Sequence, residues 1–155
     1  MLARSWPTPR RAETRDIVNA RVKRREAFRP FAPSVLDEHG SDFFEGYHPN
    51  AFMLLVQPVR SDRRAQIPAV THVDGTARLQ SVTPNANPLY HRLISRFAAR
   101  SGVPMVLNTS FNLRGEPIVQ RPAEAVADFL ASDMDALFLG SLLAEKTSGP
   151  SLARS

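Results

Sequence analysis

Val103 to Leu107 is a short apolar run with Pro104 near its entrance, and it empties directly into Asn108-Thr109-Ser110-Phe111-Asn112-Leu113-Arg114-Gly115-Glu116-Pro117. An apolar run of this length, bounded by turn formers, reads as a buried strand. A buried strand that ends in amides, hydroxyls, an arginine and a glycine is a common way for a sheet protein to build a ligand site at a strand's carboxyl end. Asn and Ser side chains and freed backbone N–H groups can hold phosphate oxygens there, and Arg114 adds a fixed positive charge. The alternative is a plain hydrogen-bonded turn, since Asn and Ser are ordinary turn formers. The segment by itself leaves both readings open.

The rest of the chain supplies elements to pack around that strand. Ala12 to about Arg25 reads as a helix with a thin apolar stripe at Ile17 and Val22. Phe28-Arg29-Pro30-Phe31-Ala32-Pro33 breaks it, because each proline pushes its predecessor toward an extended backbone. Val35 to Phe44 reads as a short helix closed by Gly46 and Pro49. Phe52 to Val59 reads as a strand buried on both faces, with Pro58 near its end. Ser61 to Gln66 is a charged loop. Val70–Val73 and Ala77–Val82 read as two short strands around the turn pair Asp74-Gly75. Asn87 is a good N-cap with Pro88 at the first helical position, and that helix runs to about Arg100 with Gly102 past its end. Leu89, Leu93, Ile94 and Phe97 form its expected buried face. A further helix spans Pro122 to Ala131, burying Val126, Phe129 and Leu130, and Ala136–Leu139 is a last short strand. The expected class is α/β (α+β). Residues 1–9 form an irregular lead-in, residues 10–146 one domain, and residues 147–155 a disordered tail.

At 155 residues the chain is one domain's worth and can bury a real core. No apolar run approaches the roughly 20 residues that span a bilayer, and Met1 to Pro7 lacks the apolar core of a signal peptide. With no cysteine, disulfides and thiolate metal sites are excluded, which fits a cytoplasmic protein. Net charge is +5, and the excess is local. Between Arg10 and Arg29 there are eight cations (Arg10, Arg11, Arg15, Arg21, Lys23, Arg24, Arg25, Arg29) against Glu13, Asp16 and Glu26. An anionic partner follows, whether nucleic acid, membrane headgroups or a phosphorylated small molecule.

Three segments can carry chemistry. In Lys23-Arg24-Arg25-Glu26-Ala27-Phe28-Arg29-Pro30-Phe31-Ala32-Pro33-Ser34, Lys23 ends a helix and Arg29 lies in the extended stretch after it, so two cations can approach one anion from different backbone geometries. A solvated basic helix face is the alternative, although Phe28, Phe31 and the prolines indicate a segment packed against a core. In Thr71-His72-Val73-Asp74-Gly75-Thr76-Ala77-Arg78, Arg78 can project from the strand after the turn. His72 and Asp74 fall short of the three or four ligands a closed metal site needs, and no metal site is expected. The third segment is Asn108 to Pro117. None of the three matches a Walker-type loop or a Gly-x-Gly-x-x-Gly turn, and no serine–histidine–carboxylate set stands out, so no catalytic residue is assigned.

In order and spacing, Val22 to Ser34, His72 to Arg78, Asn108 to Asn112 and Arg114 to Pro117 resemble the carboxyl-terminal domain of the NodU/CmcH/TobZ family of O-carbamoyltransferases, over roughly residues 4–146. The resemblance implies a YrdC-like twisted mixed sheet flanked by helices, whose basic cavity binds carbamoyl phosphate and ATP, with Mg²⁺ accompanying the nucleotide. It implies formation of carbamoyl-adenylate there with release of pyrophosphate. An amino-terminal actin-like domain with an iron-type metal, absent from this chain, would pass the carbamoyl group to an acceptor hydroxyl. Carried onto matching positions, Lys23 and Arg29 bind the phosphate and carbamoyl portions, Arg78 the polyphosphate, and Ser110 an oxygen of substrate or nucleotide, with Asn108 and Asn112 in the same pocket. The chain is then expected to be a truncated product, a remnant, or half of a split enzyme whose actin-like domain is encoded separately. Its rivals are a basic RNA-binding module, weakened by the scarcity of stacking aromatics, and an inactive interaction domain left by truncation.

Overall fold

The structure, a computed structural model, describes residues 8–23 and 31–146. The chain is α+β. At its centre, β1 (Ala32–Leu36) pairs in parallel with β4 (Gln80–Val82) and antiparallel with β5 (Met105–Asn108), in the order β4-β1-β5. All five residues of β1 are buried, as a central strand covered on both faces must be. Period-two alternation sorts its neighbours. Val35 and Met105 face a large core with Phe44, Val59, Ile67 and Leu79, while Leu36, Val82 and Val106 face α3 (Pro88–Ser101) through Ile94. Each such side chain contributes roughly 1.5–3 kcal/mol on burial.

The α3 boundaries follow from its caps. Asn87 Oδ1 accepts the Tyr90 N–H at 3.1 Å, Pro88 opens the first turn, and Gly102 takes the left-handed conformation at φ +73° that ends the helix. One expected contact fails: Leu89 is 68% exposed, and Tyr90 packs at the core edge with Leu93 and Phe97 instead. A second pair of short strands, β2 (Gln57–Pro58) and β3 (Thr76–Ala77), runs antiparallel beside the large core. Downstream, α4 (Pro122–Ala131) packs on the hairpin of β6 (Ala136–Leu139) and β7 (Leu142–Glu145) through Ala125, Phe129 and Leu137.

Several sequence expectations are corrected. Val35 and Leu36 belong to β1, and only α2 (Gly40–Phe43), after a 3-10 turn at Asp37–His39, keeps the helix expected from Val35. Gly40 permits that turn because a Cβ there would lie 2.1 Å from the Tyr47 ring. Phe52 to Val56 is an exposed loop, with only Gln57–Pro58 extended and paired. Val70–Val73 forms no strand, and Ala77–Val82 is divided between β3 and β4. β7 was not expected, because Leu142–Glu145 carries no alternation. In α4, Val126 and Leu130 are exposed, and Ala125 and Asp128 are buried beside Phe129. Helix α1 (Ala12–Ile17) widens into a π-helical stretch, Val18–Lys23, and Ile17 is half exposed rather than apolar seam. Pro9, at the end of the lead-in, is buried and its carbonyl accepts the Ala69 N–H at 3.1 Å. The tail expected over residues 147–155 lies outside the described residues.

Candidate functional site

Lys23 ends the π-helical stretch, a distortion frequent at functional sites, and is buried at 6% exposure. Its ammonium crosses 87 positions of sequence to the segment after β5. There it donates to the Ser110 carbonyl, to Ser110 Oγ at 3.3 Å, to the Asn112 carbonyl at 3.0 Å and to Asn112 Oδ1 at 2.8 Å. Ser110 Oγ donates to Asn112 Oδ1 at 2.6 Å, and Asn112 Nδ2 donates to the Glu116 carbonyl at 2.9 Å. The Asn112 amide is therefore oriented from both ends, with its oxygen toward the lysine. Those four acceptors are neutral oxygens, and together they fix the direction in which the ammonium points. The turn that brings Glu116 back is closed by its N–H on the Leu113 carbonyl at 3.3 Å, with Gly115 at φ +84°.

Asn108 stands in a second, adjoining polar group. Ser34, Gln80 and Asn108 share the α3 face of the sheet, one on each of its three strands, by the strand register. Gln80 Oε1 accepts from Ser34 Oγ at 2.8 Å and from Asn108 Nδ2 at 2.9 Å. The same face is apolar toward Leu36, Val82 and Val106, so polarity begins where β5 runs out toward Ser110. Gln80 Nε2 reaches the Ala51 carbonyl at 3.3 Å, and Asn108 Nδ2 lies 3.7 Å from Met53 Sδ. Ser34 and Gln80 escaped the sequence reading. A serine inside the otherwise apolar Phe31–Leu36 run was the available signal for the first, and only the pairing of β1 with β4 reveals the second.

Arg78 is exposed, two residues before Gln80. It stands near the Asp74-Gly75 turn, where Asp74 Oδ1 accepts the Thr76 N–H at 3.0 Å and the Thr76 hydroxyl at 2.7 Å. Gly75 is at φ +81°, with the Arg64 guanidinium where a Cβ would be. His72 is held below the ordinary imidazole pKa by burial, which Asp74 opposes and the Arg78 charge reinforces. Arg29 lies outside the described residues. The structure thus joins Lys23 to Ser110 and Asn112, links Asn108 to Gln80 and Ser34, and sets Arg78 beside His72. An open cleft of about 300 Å³ beside α4 and β6 is lined by Phe111, the residue between Ser110 and Asn112, and another of about 480 Å³ lies between Phe43, Arg63 and Gly102.

The comparison with known families decides what kind of domain this is. Residues 3–146 match the family described as carbamoyltransferase C-terminus. The chain belongs to that family. Nodulation protein NolNO of Sinorhizobium fredii is 52% identical over 141 residues, which cover 89% of this chain and 21% of that protein. Nodulation protein NolO of Bradyrhizobium diazoefficiens is 48% identical, again over 89% of this chain and 26% of the relative. The 3'-hydroxymethylcephem-O-carbamoyltransferase of Amycolatopsis lactamdurans is 42% identical over 74% of this chain and 22% of its own length. The chain therefore spans about a quarter or less of these curated relatives. Every residue of the Lys23, Ser34, Gln80, Asn108, Ser110 and Asn112 constellation falls inside the matched carbamoyltransferase segment. Among the described residues no helix is long and apolar enough to cross a membrane.

Proposed function

We propose that this domain binds carbamoyl phosphate and Mg²⁺-ATP and converts the carbamoyl group to carbamoyl-adenylate, which the rest of a carbamoyltransferase passes to an acceptor hydroxyl. The observation that supports this reading is the buried Lys23 ammonium oriented by Ser110 and Asn112 at the mouth of β5. A cation fixed in place, beside a hydroxyl and an amide, suits an anionic substrate better than a mobile surface lysine does. Bringing two phosphorylated substrates together is chiefly a matter of offsetting their mutual repulsion and aligning them. Lys23, with Arg29, takes the phosphate and carbamoyl portions, Arg78 takes the polyphosphate, and Ser110, Asn108 and Asn112 take substrate oxygens. On entry the anion replaces some of the oxygens that now surround the ammonium.

The test is ligand-induced stabilisation. Carbamoyl phosphate and Mg²⁺-ATP should each raise the melting temperature, by mass action on the folded state, and high salt should weaken the effect. Lys23→Met and Arg78→Ala should each reduce binding by about 1.5–3 kcal/mol, the usual worth of a charge-assisted contact. The solvent-exposed Arg100, changed to Ala, serves as the comparison and should alter binding by roughly 0–0.5 kcal/mol. Equal losses from Arg78→Ala and Arg100→Ala would remove Arg78 from the site. A folded sample that ignores both ligands yet binds RNA with a steep salt dependence would replace the proposal with the nucleic-acid reading.

A further inference from the structure

Residues 50–56 expose Phe52 at 82%, Leu54 at 79%, Leu55 at 50% and Val56 at 56%, a concentration of apolar surface a solvated loop does not need. The loop is held in that pose. Asn50, itself 5% exposed, donates from Nδ2 to the Leu55 carbonyl at 3.0 Å and accepts the Leu54 N–H on Oδ1 at 2.9 Å. Its own N–H donates to Ser81 Oγ at 2.7 Å, and its carbonyl accepts the Ser81 N–H at 3.1 Å, which fastens the loop along β4. Met53 is the one non-glycine among the described residues at positive φ, +58°. A strained backbone held by a buried amide so that four large apolar side chains face outward is an arrangement that costs stability in the free domain.

We infer that the 51–56 loop is the docking surface for the amino-terminal remainder of the carbamoyltransferase polypeptide, carried ahead of this segment in the relatives or supplied as a separate chain. The inference rests on the proposed division of labour between this domain and that remainder. Two observations select this occupant. This segment matches the carboxyl-terminal family and covers only 21–26% of NolNO and NolO, so in those relatives most of the chain lies outside it and is the body at hand to cover an exposed apolar face. The loop is also continuous with the candidate site, because Met53 touches Asn108 and the Ala51 carbonyl is held by Gln80. A carbamoyl group made at Lys23 and Ser110 and passed on to another body has the shortest path where that body covers the site's rim. The β6–β7 hairpin also exposes Leu142 and Leu143, but among the described residues it has no strained residue and no hydrogen bond to the polar row, which makes it the comparison surface.

The experiment supplies the portion of S. fredii NolNO that precedes the matched segment as a separate chain, shown to be folded by a cooperative melt, and titrates it into this chain by calorimetry. A complex should form. Phe52→Ser with Leu54→Ser should weaken it about tenfold or more, as for anchor side chains at an interface centre, and Leu142→Ser should leave it within about twofold. Amide exchange at 51–56 should slow in the complex. In a single-chain chimera, with this chain replacing the matched segment of NolNO, the double variant should be released by trypsin about tenfold faster. Carbamoyl phosphate stabilisation, measured on the same variants, separates the two proposals: the Phe52 and Leu54 double variant should lose docking and keep the ligand shift, Lys23→Met should show the reverse, and a chain that docks without any ligand shift would overturn only the proposed ligand binding. A folded probe that does not bind, equal weakening by Leu142→Ser, or unchanged exchange at 51–56 would overturn the assignment. Self-association of this chain abolished by the Phe52 and Leu54 changes would also overturn it, in favour of a second copy.

Discussion

At the scale of single residues, position rather than type decides what each side chain does. Lys23 is one of eight cations in a basic stretch, and its burial against Ser110 and Asn112 distinguishes it from Arg11, which is exposed, Arg15, which is partly exposed and paired with the adjacent Asp16, and Arg10, which is exposed and donates to the Ser101 carbonyl. Gly40 is constrained from the other side, by the Tyr47 ring that lies on it and whose hydroxyl donates to Asp37 Oδ1 at 2.7 Å. Gly40→Ala should destabilise the fold by roughly 1–3 kcal/mol, as overpacking does, and a denaturant titration with unchanged m-value would register it. His72 titrates where few other groups do. Its folded pKa lies below the ordinary 6.5, so the unfolded chain binds the extra proton in the window between the two values. Stability therefore rises with pH through that window, and is lost as pH falls from about 6.5 toward the folded pKa. His72→Gln should flatten the melting temperature between about pH 7 and pH 5. Glu38 and Asp74 act lower. Burial opposes ionisation of Glu38, but its backbone hydrogen bond and His91 outweigh that and hold its pKa down. Hydrogen bonds from Thr76 hold down that of Asp74. Their stabilisation fades only as pH falls below the carboxylate range, which separates the two effects.

At the scale of elements, local chemistry sets boundaries and neighbours set identity. Helix α3 is bounded by Asn87, Pro88 and Gly102, groups that act within one turn, and it forms where the sequence places it. Asn87→Ala should cost about 1 kcal/mol, seen as a lower melting temperature with unchanged helix content below the transition. α4 likewise starts on Pro122, with the Glu124 carboxylate accepting the Arg121 and Gln120 N–H groups at 3.1 and 2.9 Å. The strands behave otherwise. Phe52-Met53-Leu54-Leu55-Val56 has the composition of a buried strand and is a loop, while Ala32-Pro33-Ser34-Val35-Leu36, with a proline and a serine, is the central strand. Pro33 is tolerated there although it gives no ladder hydrogen bond.

At the scale of the whole molecule, the chain belongs to the carbamoyltransferase C-terminus family over residues 3–146. It spans 21% of NolNO, and its described surface exposes apolar side chains on the 51–56 loop, on the β6–β7 hairpin and, at Val126 and Leu130, on α4. The chain alone should not carbamoylate any hydroxyl acceptor, because acceptor recognition is assigned to the remainder. Incubating the purified chain with carbamoyl phosphate, Mg²⁺-ATP and an acceptor such as a 3'-hydroxymethylcephem should give no O-carbamate by mass spectrometry. Product formed by an uncontaminated sample would place the entire reaction within these 155 residues.

What the sequence determined alone was whatever depends on neighbours a few positions away. The caps of α3, the bounds of α4, the strand at Met105–Leu107 with the polar segment after it, and the turn at Asp74-Gly75 are all legible because caps, turns and apolar runs act over short distances. The family motifs were legible for the same reason, being contiguous, and they nominated Lys23, Ser110 and Asn112 before any contact between them was visible. The tertiary structure decided which apolar run is core. Burial depends on what packs on the other side, so β1 won the centre of the sheet from β4 and β5, and Phe52–Val56 was left outside by the grip of Asn50. It also decided that Gln80 and Ser34 meet Asn108, since a mixed register of three strands distant in sequence is a property of the assembled sheet and of no single segment.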